Sequence, residues 1–276
     1  MGINQRTLII RIIKTSLGIT FVIAIYFLVR IFVCDIFPVS TQSMYPTIKP
    51  GERIVVNKLI FGARIYKNLK FINENTFQVW RMPGMREIRN NDIVVFNYPF
   101  GGNAIHGINF KIDLVYVKRC IGLPGDSLMI QNGFYRLLST GDTLGHIANQ
   151  LIYASTPDSL IIPEVLNSTI FDNGYKHWTT KNLGPIYIPY KGFNMIIDTT
   201  NYLPYRFIIE YETRQKLQKR FGKIYLGNSV LNQYTFKENY YFMAGDNVAN
   251  SHDSRYFGYV PETFIIGVAS KILSSH

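Results

Sequence analysis

Residues 114–126 read LVYVKRCIGLPGD, an apolar run that ends in a Pro-Gly-Asp turn. Its β-branched and aromatic content is typical of a strand. Side chains alternate between the two faces of a strand, so Tyr116 and Lys118 share one face and Val117 and Arg119 the other. The two adjacent cations cannot both point to solvent if either face is covered, and we expect at least one of them to be buried or paired. The alternative is an edge strand on which Lys118 lies in water.

Short apolar runs with the same strand-like composition recur along the rest of the chain. They predict a mainly β fold. A helix is predicted over 207–220, supported by Glu210 four residues before Arg214, with the charged run 216–220 as its solvated end. We interpret 62–88, 99–111 and 131–238 as insertions, the last of which forms a cap region. The predicted strands are 53–60, 92–98, 114–123, 126–130, 186–190, 223–226, 239–245 and 264–273.

Composition excludes several classes of protein. The chain has 276 residues, of which 47% are hydrophobic and 17% charged, so it does not have the composition of a disordered protein. The net charge of +11 suits nucleic acid or an anionic membrane surface. With only two cysteines, Cys34 and Cys120, neither a disulfide scaffold nor a zinc site built from cysteines is expected.

The N-terminal segment 15–34 predicts a transmembrane helix. It holds 20 residues with Arg30 as its one charge, which is about the length that crosses a bilayer. Arg6, Arg11 and Lys14 precede it without an acid, so the positive-inside rule places residues 1–14 in the cytoplasm and the rest of the chain outside. A short linker, 35–42, follows. A cleaved signal peptide and a buried soluble helix are the alternatives. The apolar run is long for a signal peptide. A soluble helix usually has a polar face, whereas this segment is apolar on all sides.

Two separate segments hold the residues for a nucleophile and a base. Ser43 begins Ser-Met-Tyr-Pro-Thr (43–47), which by itself reads as a turn. A lysine in an apolar site loses its proton easily, and a neutral amine at pH 7 needs a pKa about 3 units below its ordinary value. A neutral Lys118 beside the Ser43 hydroxyl would be a complete nucleophile–base pair without histidine.

The polar segment GDNVANSHDSRYFGYVP, residues 245–261, lies between two apolar runs. It is either a surface loop or a set of buried polar groups, in which Asp246, Asp253 and Arg255 balance one another and Arg119. Only His252 among the five histidines suggests a Ser-His-Asp triad. No metal-ligand spacing is present, and neither a metal nor a cofactor is expected.

These three stretches, in this order behind an N-terminal anchor, resemble bacterial type I signal peptidase (leader peptidase), a serine–lysine dyad family. The resemblance lies in the segment that starts at Ser43, in Asn91 to Phe96, in Tyr116 to Asp126, and in Gly245 to Gly258. The chain departs from the family pattern at Phe257, where tryptophan is frequent, at Gln42, where glycine is frequent, and at Thr41, where serine is the usual donor.

The resemblance implies a role for each matching residue. Ser43 is implied as nucleophile and Lys118 as general base, with Ser251 hydrogen-bonded to the lysine amine. The Ser43 N–H and the Thr41 hydroxyl are implied as oxyanion donors. Arg119 with Asp246 and Asp253 with Arg255 are expected as structural pairs. The residues expected to line the shallow substrate pockets are Met44, Tyr116, Val39, Ile48 and Val117.

The implied protein is a membrane-anchored serine endopeptidase that removes signal peptides from exported preproteins at Ala-x-Ala-like sites. It is expected as a single-pass protein of the bacterial inner membrane, with the bilayer as a further partner and no nucleic acid. The catalytic domain, a signal-peptidase-like β-fold, is expected over 35–130 and 239–276, with 131–238 inserted as the cap region.

Three alternatives compete with this interpretation. A LexA-like self-cleaving protein shares the serine–lysine chemistry, but residues 1–37 offer an anchor where such a protein carries a DNA-binding helix-turn-helix. A second alternative is a non-catalytic, membrane-anchored envelope scaffold or binding protein, in which the match to the motifs would be coincidental. A nucleic-acid binder is compatible with the charge alone, since no basic and aromatic stripe supports it.

Overall fold

The computed structural model confirms a mainly β protein with one N-terminal apolar helix. Parts of five predicted segments lie outside the described residues. They are 1–4 of the cytoplasmic segment, 68–77 of the first insertion, 101–106 of the loop 99–111, 168 and 172–177 of the cap region, and 275–276 of the catalytic segment 239–276. The structure describes residues 5–67, 78–100, 107–167, 169–171 and 178–274.

The helices are one long N-terminal helix and several short ones that connect strands. The α-helices are α1 (Gln5–Leu28), α2 (Ile147–Ser155), α3 (Pro163–Asn167), α4 (Tyr202–Thr213) and α5 (Ser254–Phe257). A π-helical turn, Val29–Val33, continues α1, and 3₁₀ turns occupy Asp158–Leu160, Val248–Asn250 and Glu262–Phe264.

The strands form a large antiparallel sheet and several smaller ones. In chain order they are β1 (Cys34–Pro38), β2 (Arg53–Asn57), β3 (Arg64–Tyr66), β4 (Val79–Arg81), β5 (Ile93–Asn97), β6 (Val115–Gly122), β7 (Ser127–Gln131), β8 (Phe134–Leu137), β9 (Thr143–Leu144), β10 (Leu183–Tyr187), β11 (Asn194–Ile196), β12 (Leu217–Arg220), β13 (Lys223–Leu226), β14 (Ser229–Val230), β15 (Gln233–Thr235), β16 (Tyr240–Ala244), β17 (Val260–Pro261) and β18 (Ile265–Leu273).

The large sheet has seven strands in the order β1-β2-β18-β5-β6-β16-β17, all paired antiparallel. Its inner strands carry the longest apolar runs; every residue of β16 is buried. In β6, Lys118 is opposite Val94 of β5, and Arg119 is opposite Ala244 of β16. The sequence stretch 114–126 therefore lies inside the sheet with a neighbour on each side, and not at its edge.

A second sheet, β10-β7-β8-β9, has four strands and shares an apolar core with the first. The predicted domain boundary after residue 130 falls within β7, which pairs with both β8 and β10. The predicted strand 186–190 begins earlier, at Leu183, because Leu183 pairs with Ile130 and a register irregularity follows before Ile186. Two apolar cores result, a large one that spans both sheets and a small one near the start of β2.

The predicted helix 207–220 is wrong in both of its limits. The helix α4 ends at Thr213, because Arg214 adopts a left-handed conformation with φ of 59°. The chain then turns into β12, so the charged run 216–220 is strand and not helix end. Glu210 pairs with Arg206 and Lys216, at 3.1 and 3.0 Å, and not through its side chain with Arg214.

The N-terminal helix is longer than the predicted segment 15–34. A candidate membrane span covers Ile9–Val33, with none of it buried against the rest of the described chain. The predicted linker 35–42 is partly a strand, since β1 begins directly after the π turn and pairs along its length with β2. Two ion pairs strengthen this junction, because Asp35 contacts Arg30 at 2.7 Å and Lys58 at 3.7 Å. The anchor therefore continues into the large sheet without a free linker.

Candidate active site

Ser43 lies on the loop between β1 and β2, close to the strand β6. The loop is closed by hydrogen bonds between Val39 and Glu52 and between Gly51 and Val39. Met44 and Ile48 fix it from below because both are fully buried in the small core. The N–H of Asn247 donates to the Ser43 carbonyl at 3.0 Å, which ties the loop to the polar segment after β16.

Lys118 reaches this loop from the middle of β6. Its side chain is 4% exposed, and its Nζ donates to Ser43 Oγ at 2.7 Å and to the Val117 carbonyl at 3.2 Å. The amine also lies 5.1 Å from the centre of the Tyr116 ring, as expected for residues on one face of a strand. The two residues singled out for nucleophile and base are thus in direct contact, although 75 residues separate them.

The surroundings of the amine favour its neutral form. Burial lowers the pKa of Lys118 to about 8, with Asp253 opposing this shift and Arg255 adding to it. Desolvation disfavours a charged amine because the protein interior solvates charge poorly. Close to pH 8, the amine therefore exists about half in the form that can accept a proton.

Arg119, on the opposite face of β6, is paired. Its Nε and Nη2 donate to the two carboxylate oxygens of Asp246 at 2.7 and 2.6 Å, and Thr47 Oγ1 donates to the same carboxylate. Lys118 is thus buried and Arg119 neutralised. The pair also joins β6, the serine loop and the segment after β16, which surround the contact between Lys118 and Ser43.

Asp253 and Arg255 form a second ion pair that is completely buried. Arg255 donates to Asp253 from Nε at 2.8 Å and from Nη2 at 2.9 Å, and the Gly245 N–H donates to the same carboxylate at 3.0 Å. Burial acts to raise the pKa of Asp253, but the Arg255 charge and its hydrogen bonds outweigh burial and hold that pKa below its ordinary value. The segment is therefore a network of buried polar groups and not a surface loop.

Ser251 lies at the site but does not make the expected hydrogen bond. Its hydroxyl is buried and has no hydrogen-bond partner within the described part of the chain, so the implied bond to the Lys118 amine is absent. The hydroxyl packs against Gly245 instead, where an added Cβ would come within 2.1 Å of Ser251 Oγ and 2.5 Å of the Ser43 carbonyl oxygen. Because Gly245 has no side chain, the serine loop and Ser251 can both approach its backbone closely.

Thr41 lies beside the serine, as the resemblance implies. Its Oγ1 is 3.3 Å from Ser43 Oγ, close enough for either hydroxyl to donate. The Thr41 side chain is exposed, and Ser43 is half-buried. The serine oxygen therefore has two neighbours, a buried amine and an exposed hydroxyl.

The five expected pocket residues divide between the two cores. Val39, Met44 and Ile48 are buried in the small core, and Val117 packs against it. Met44 and Ile48 have no accessible surface, so the expectation that they line an open pocket is not met in this structure. Tyr116 belongs to the other core, where its ring stacks on Tyr98 with centroids 4.6 Å apart.

His252 takes part in aromatic packing. Its ring stacks on Tyr256 with centroids 5.3 Å apart and contacts Tyr98 at 5.8 Å. The hydroxyl of Ser43 has Lys118 and Thr41 as its partners, which disfavours the triad. Within the described residues there is also no group of three or more His, Cys, Asp and Glu side chains that could hold a metal ion.

Sequence reasoning missed one residue that contacts the site. Asn149 of α2 donates to the carbonyls of Tyr45 and Asp246 at 3.0 and 2.7 Å. Nothing in its local sequence marks it, because Tyr45 is 104 residues and Asp246 97 residues away along the chain.

The chain is similar to known signal peptidases over most of its length. The family model "Signal peptidase, peptidase S26" matches residues 10–151 and 187–273. Signal peptidase I of Rickettsia felis is 30% identical over 250 residues, which cover 89% of this chain and 73% of that protein. Signal peptidase I of Buchnera aphidicola subsp. Baizongia pistaciae is 27% identical over 274 residues, covering 93% and 75%.

A solved structure of a signal peptidase I from Enterococcus faecalis overlays with a TM-score of 0.32 at 18% identity, covering 67% of this chain and 97% of that one. The family match extends well beyond the segments that carried the resemblance. It includes 62–88 and both ends of 131–238, since only 152–186 separates its two parts. The chain therefore belongs to the signal peptidase family, peptidase S26.

Proposed function

We propose that this protein is a membrane-anchored serine endopeptidase that removes N-terminal signal peptides from exported preproteins, with Ser43 as nucleophile and Lys118 as general base. One observation carries the proposal. The buried Lys118 Nζ lies 2.7 Å from Ser43 Oγ, within the distance that proton transfer between a nucleophile and its base requires.

The chemistry uses the neutral lysine. As Ser43 Oγ attacks the scissile carbonyl carbon, the hydroxyl proton passes to Lys118 Nζ, and a carbon–oxygen bond forms. The ammonium then returns the proton to the amide nitrogen of the leaving chain as the carbon–nitrogen bond breaks, which leaves an acyl ester on Ser43. Water, activated by the same amine, hydrolyses the ester and restores both residues.

Two donors are proposed for the oxygen that becomes negative. The backbone N–H of Ser43 is one, and the Thr41 hydroxyl is the other; the 3.3 Å between Thr41 Oγ1 and Ser43 Oγ supports the second. A donor of this kind typically contributes about 2.7–4 kcal/mol of transition-state stabilisation. Tyr116, Val117 and Val39 are proposed to contact small side chains of an Ala-x-Ala-like site, with Met44 and Ile48 beneath them.

The apolar helix supports a single-pass placement. We propose that residues 1–14 lie in the cytoplasm and that the catalytic part, 35–130 and 239–276, lies on the outer side of the bacterial inner membrane. Residues 131–238 form the cap. Because β1 follows the span directly, Ser43 is held near the bilayer surface. The membrane-tethered preprotein emerges at the same surface, so the effective concentration of the cleavage site at Ser43 is raised.

Cleavage of a labelled preprotein by the detergent-solubilised full chain tests the proposal. Ser43→Ala and Lys118→Met should each abolish cleavage. Ser229→Ala and Lys223→Met, which change exposed residues of β14 and β13 in a different sheet, should leave it unchanged. The wild-type rate should rise with pH and reach half of its plateau near pH 8, where Lys118 loses its proton. Retained activity in Ser43→Ala or Lys118→Met would contradict the mechanism. An inactive wild type would favour the alternative of a non-catalytic, membrane-anchored scaffold or binding protein.

A further inference from the structure

The helix α2 lies in the predicted cap, yet its first turn contacts the serine loop. It is held there from both sides. The Gly145 N–H, just before the helix, donates to Asn91 Oδ1 at 2.8 Å. Gln150 is fully buried, donates to the Leu144 carbonyl at 2.6 Å and accepts from the Tyr135 N–H at 3.0 Å. These bonds fix the residue between them, Asn149, in position.

Asn149 connects the two chain segments that frame the nucleophile. Its single Nδ2 donates to the Tyr45 carbonyl at 3.0 Å and to the Asp246 carbonyl at 2.7 Å, so both amide hydrogens are used. Tyr45 is two residues after Ser43 in the serine loop. Asp246 pairs with Arg119 and precedes Asn247, whose N–H holds the Ser43 carbonyl. One side chain thus sets the spacing of the serine loop and the segment after β16.

We propose that Asn149 is a positioning residue for peptide cleavage, acting through these two carbonyls on the geometry between Ser43 Oγ and Lys118 Nζ. This inference rests on the proposed function. Asn149 does not titrate, and its side-chain amide bonds neither Ser43 nor Lys118, so it influences where the serine lies and not the basicity of the amine. A displacement of the reacting atoms by about 1 Å lowers rates by up to about 100-fold.

Two substitutions remove the bridge in different ways. Asn149→Asp keeps the shape but replaces the donating amide with a carboxylate that repels both carbonyls. Asn149→Ala removes the group and introduces no charge, and it serves as the test should the aspartate variant fail to fold. Asn167→Asp makes the same chemical change at an exposed position at the end of α3 and is the matched control.

Kinetics of preprotein cleavage by the full chain in detergent separate the outcomes. For Asn149→Asp and Asn149→Ala, kcat should fall about 10- to 100-fold, and KM should stay within twofold. For Asn149→Ala, which adds no charge, the pH at half-maximal rate should stay near that of the wild type. Asn167→Asp should match the wild type. A kcat within twofold of the wild type, or a raised KM with kcat intact, would overturn the inference while an inactive Ser43→Ala still supports the proposed function. An active Ser43→Ala would instead remove the proposed function, and the inference with it.

Discussion

Replacing Lys118 with methionine should stabilise the fold while it destroys activity, because a buried amine carries a cost whenever it is charged. Burial lowers the pKa of Lys118 from an ordinary 10.5 to about 8. The difference, at about 1.4 kcal/mol for each pKa unit, means that protonated Lys118 destabilises the folded state by about 3 kcal/mol. Methionine has a similar length and no charge, and it loses about 1 kcal/mol of hydrogen bonding to Ser43.

The sign of the pH dependence follows from proton binding. Between pH 8 and 10.5 the unfolded chain holds more protons on this amine than the folded chain, so wild-type stability rises with pH across that window. Below pH 8 the cost is present in full. Lys118→Met should therefore be more stable than the wild type by about 2 kcal/mol at pH 7 and should lose this advantage by pH 10.5.

Urea unfolding of the full chain in detergent micelles, followed by circular dichroism at pH 7 and at pH 10.5, measures the effect. Lys223→Met removes an exposed cation and should change the free energy of unfolding by less than about 0.5 kcal/mol at either pH. A Lys118→Met variant that is no more stable than the wild type at pH 7, or that keeps its advantage at pH 10.5, would refute the account of a buried, easily deprotonated amine.

Two further substitutions test other parts of the site and fold. Gly245→Ala should lower kcat/KM by about 10-fold or more, because its Cβ would meet the Ser43 carbonyl oxygen at 2.5 Å. Gly18→Ala is the control, since its Cβ meets no atom within 4 Å. Equal rates of preprotein cleavage by the two variants would contradict this prediction. Burial raises the pKa of Glu238 to about 7, so its ionisation costs stability as pH rises from 4.5 to 7. Glu238→Gln should then stabilise the fold by about 3 kcal/mol at pH 8 and not at pH 4.5. The exposed Glu164→Gln should be neutral at both pH values. Urea unfolding that shows equal gains at both pH values would exclude the ionisation of Glu238 as the cause.

The large sheet could be predicted because its inner strands are defined by local composition. The runs that became β5, β6, β16 and β18 are apolar enough to be buried on both sides, and only strands fit their length. The helix prediction failed at Arg214, where a non-glycine residue takes a left-handed conformation. Local propensity gives no sign of this, since the turn is stabilised by Glu210, which accepts hydrogen bonds from the Leu217 N–H and the Lys216 amine.

The contact of Lys118 with Ser43 was predictable only in part from the residues themselves. Alternation along β6 assigned Lys118 and Arg119 to opposite faces, and the cost of burying charge required a partner or a neutral form for the buried one. That Ser43 is the partner of Lys118 was implied by the resemblance to type I signal peptidases and not by the strand pattern. The bridge from Asn149 was not predictable, because it depends on how a helix from one region packs on loops from two others. The packing of Ser251 on Gly245 is likewise a matter of sub-ångström fit, which residue types alone do not encode.

The two ion pairs explain how the pKa of a lysine stays below its ordinary value beside two aspartates. Asp253 and Asp246 both act to raise the pKa of Lys118, and an unpaired buried carboxylate would stabilise the ammonium form. Each carboxylate is instead held by an arginine, Asp253 by Arg255 and Asp246 by Arg119. Desolvation is the largest influence on the pKa of the amine, and the Arg255 charge acts against the attraction of Asp253. The pairs thus let acidic residues order the backbone around Ser43 without turning its base into a permanent cation.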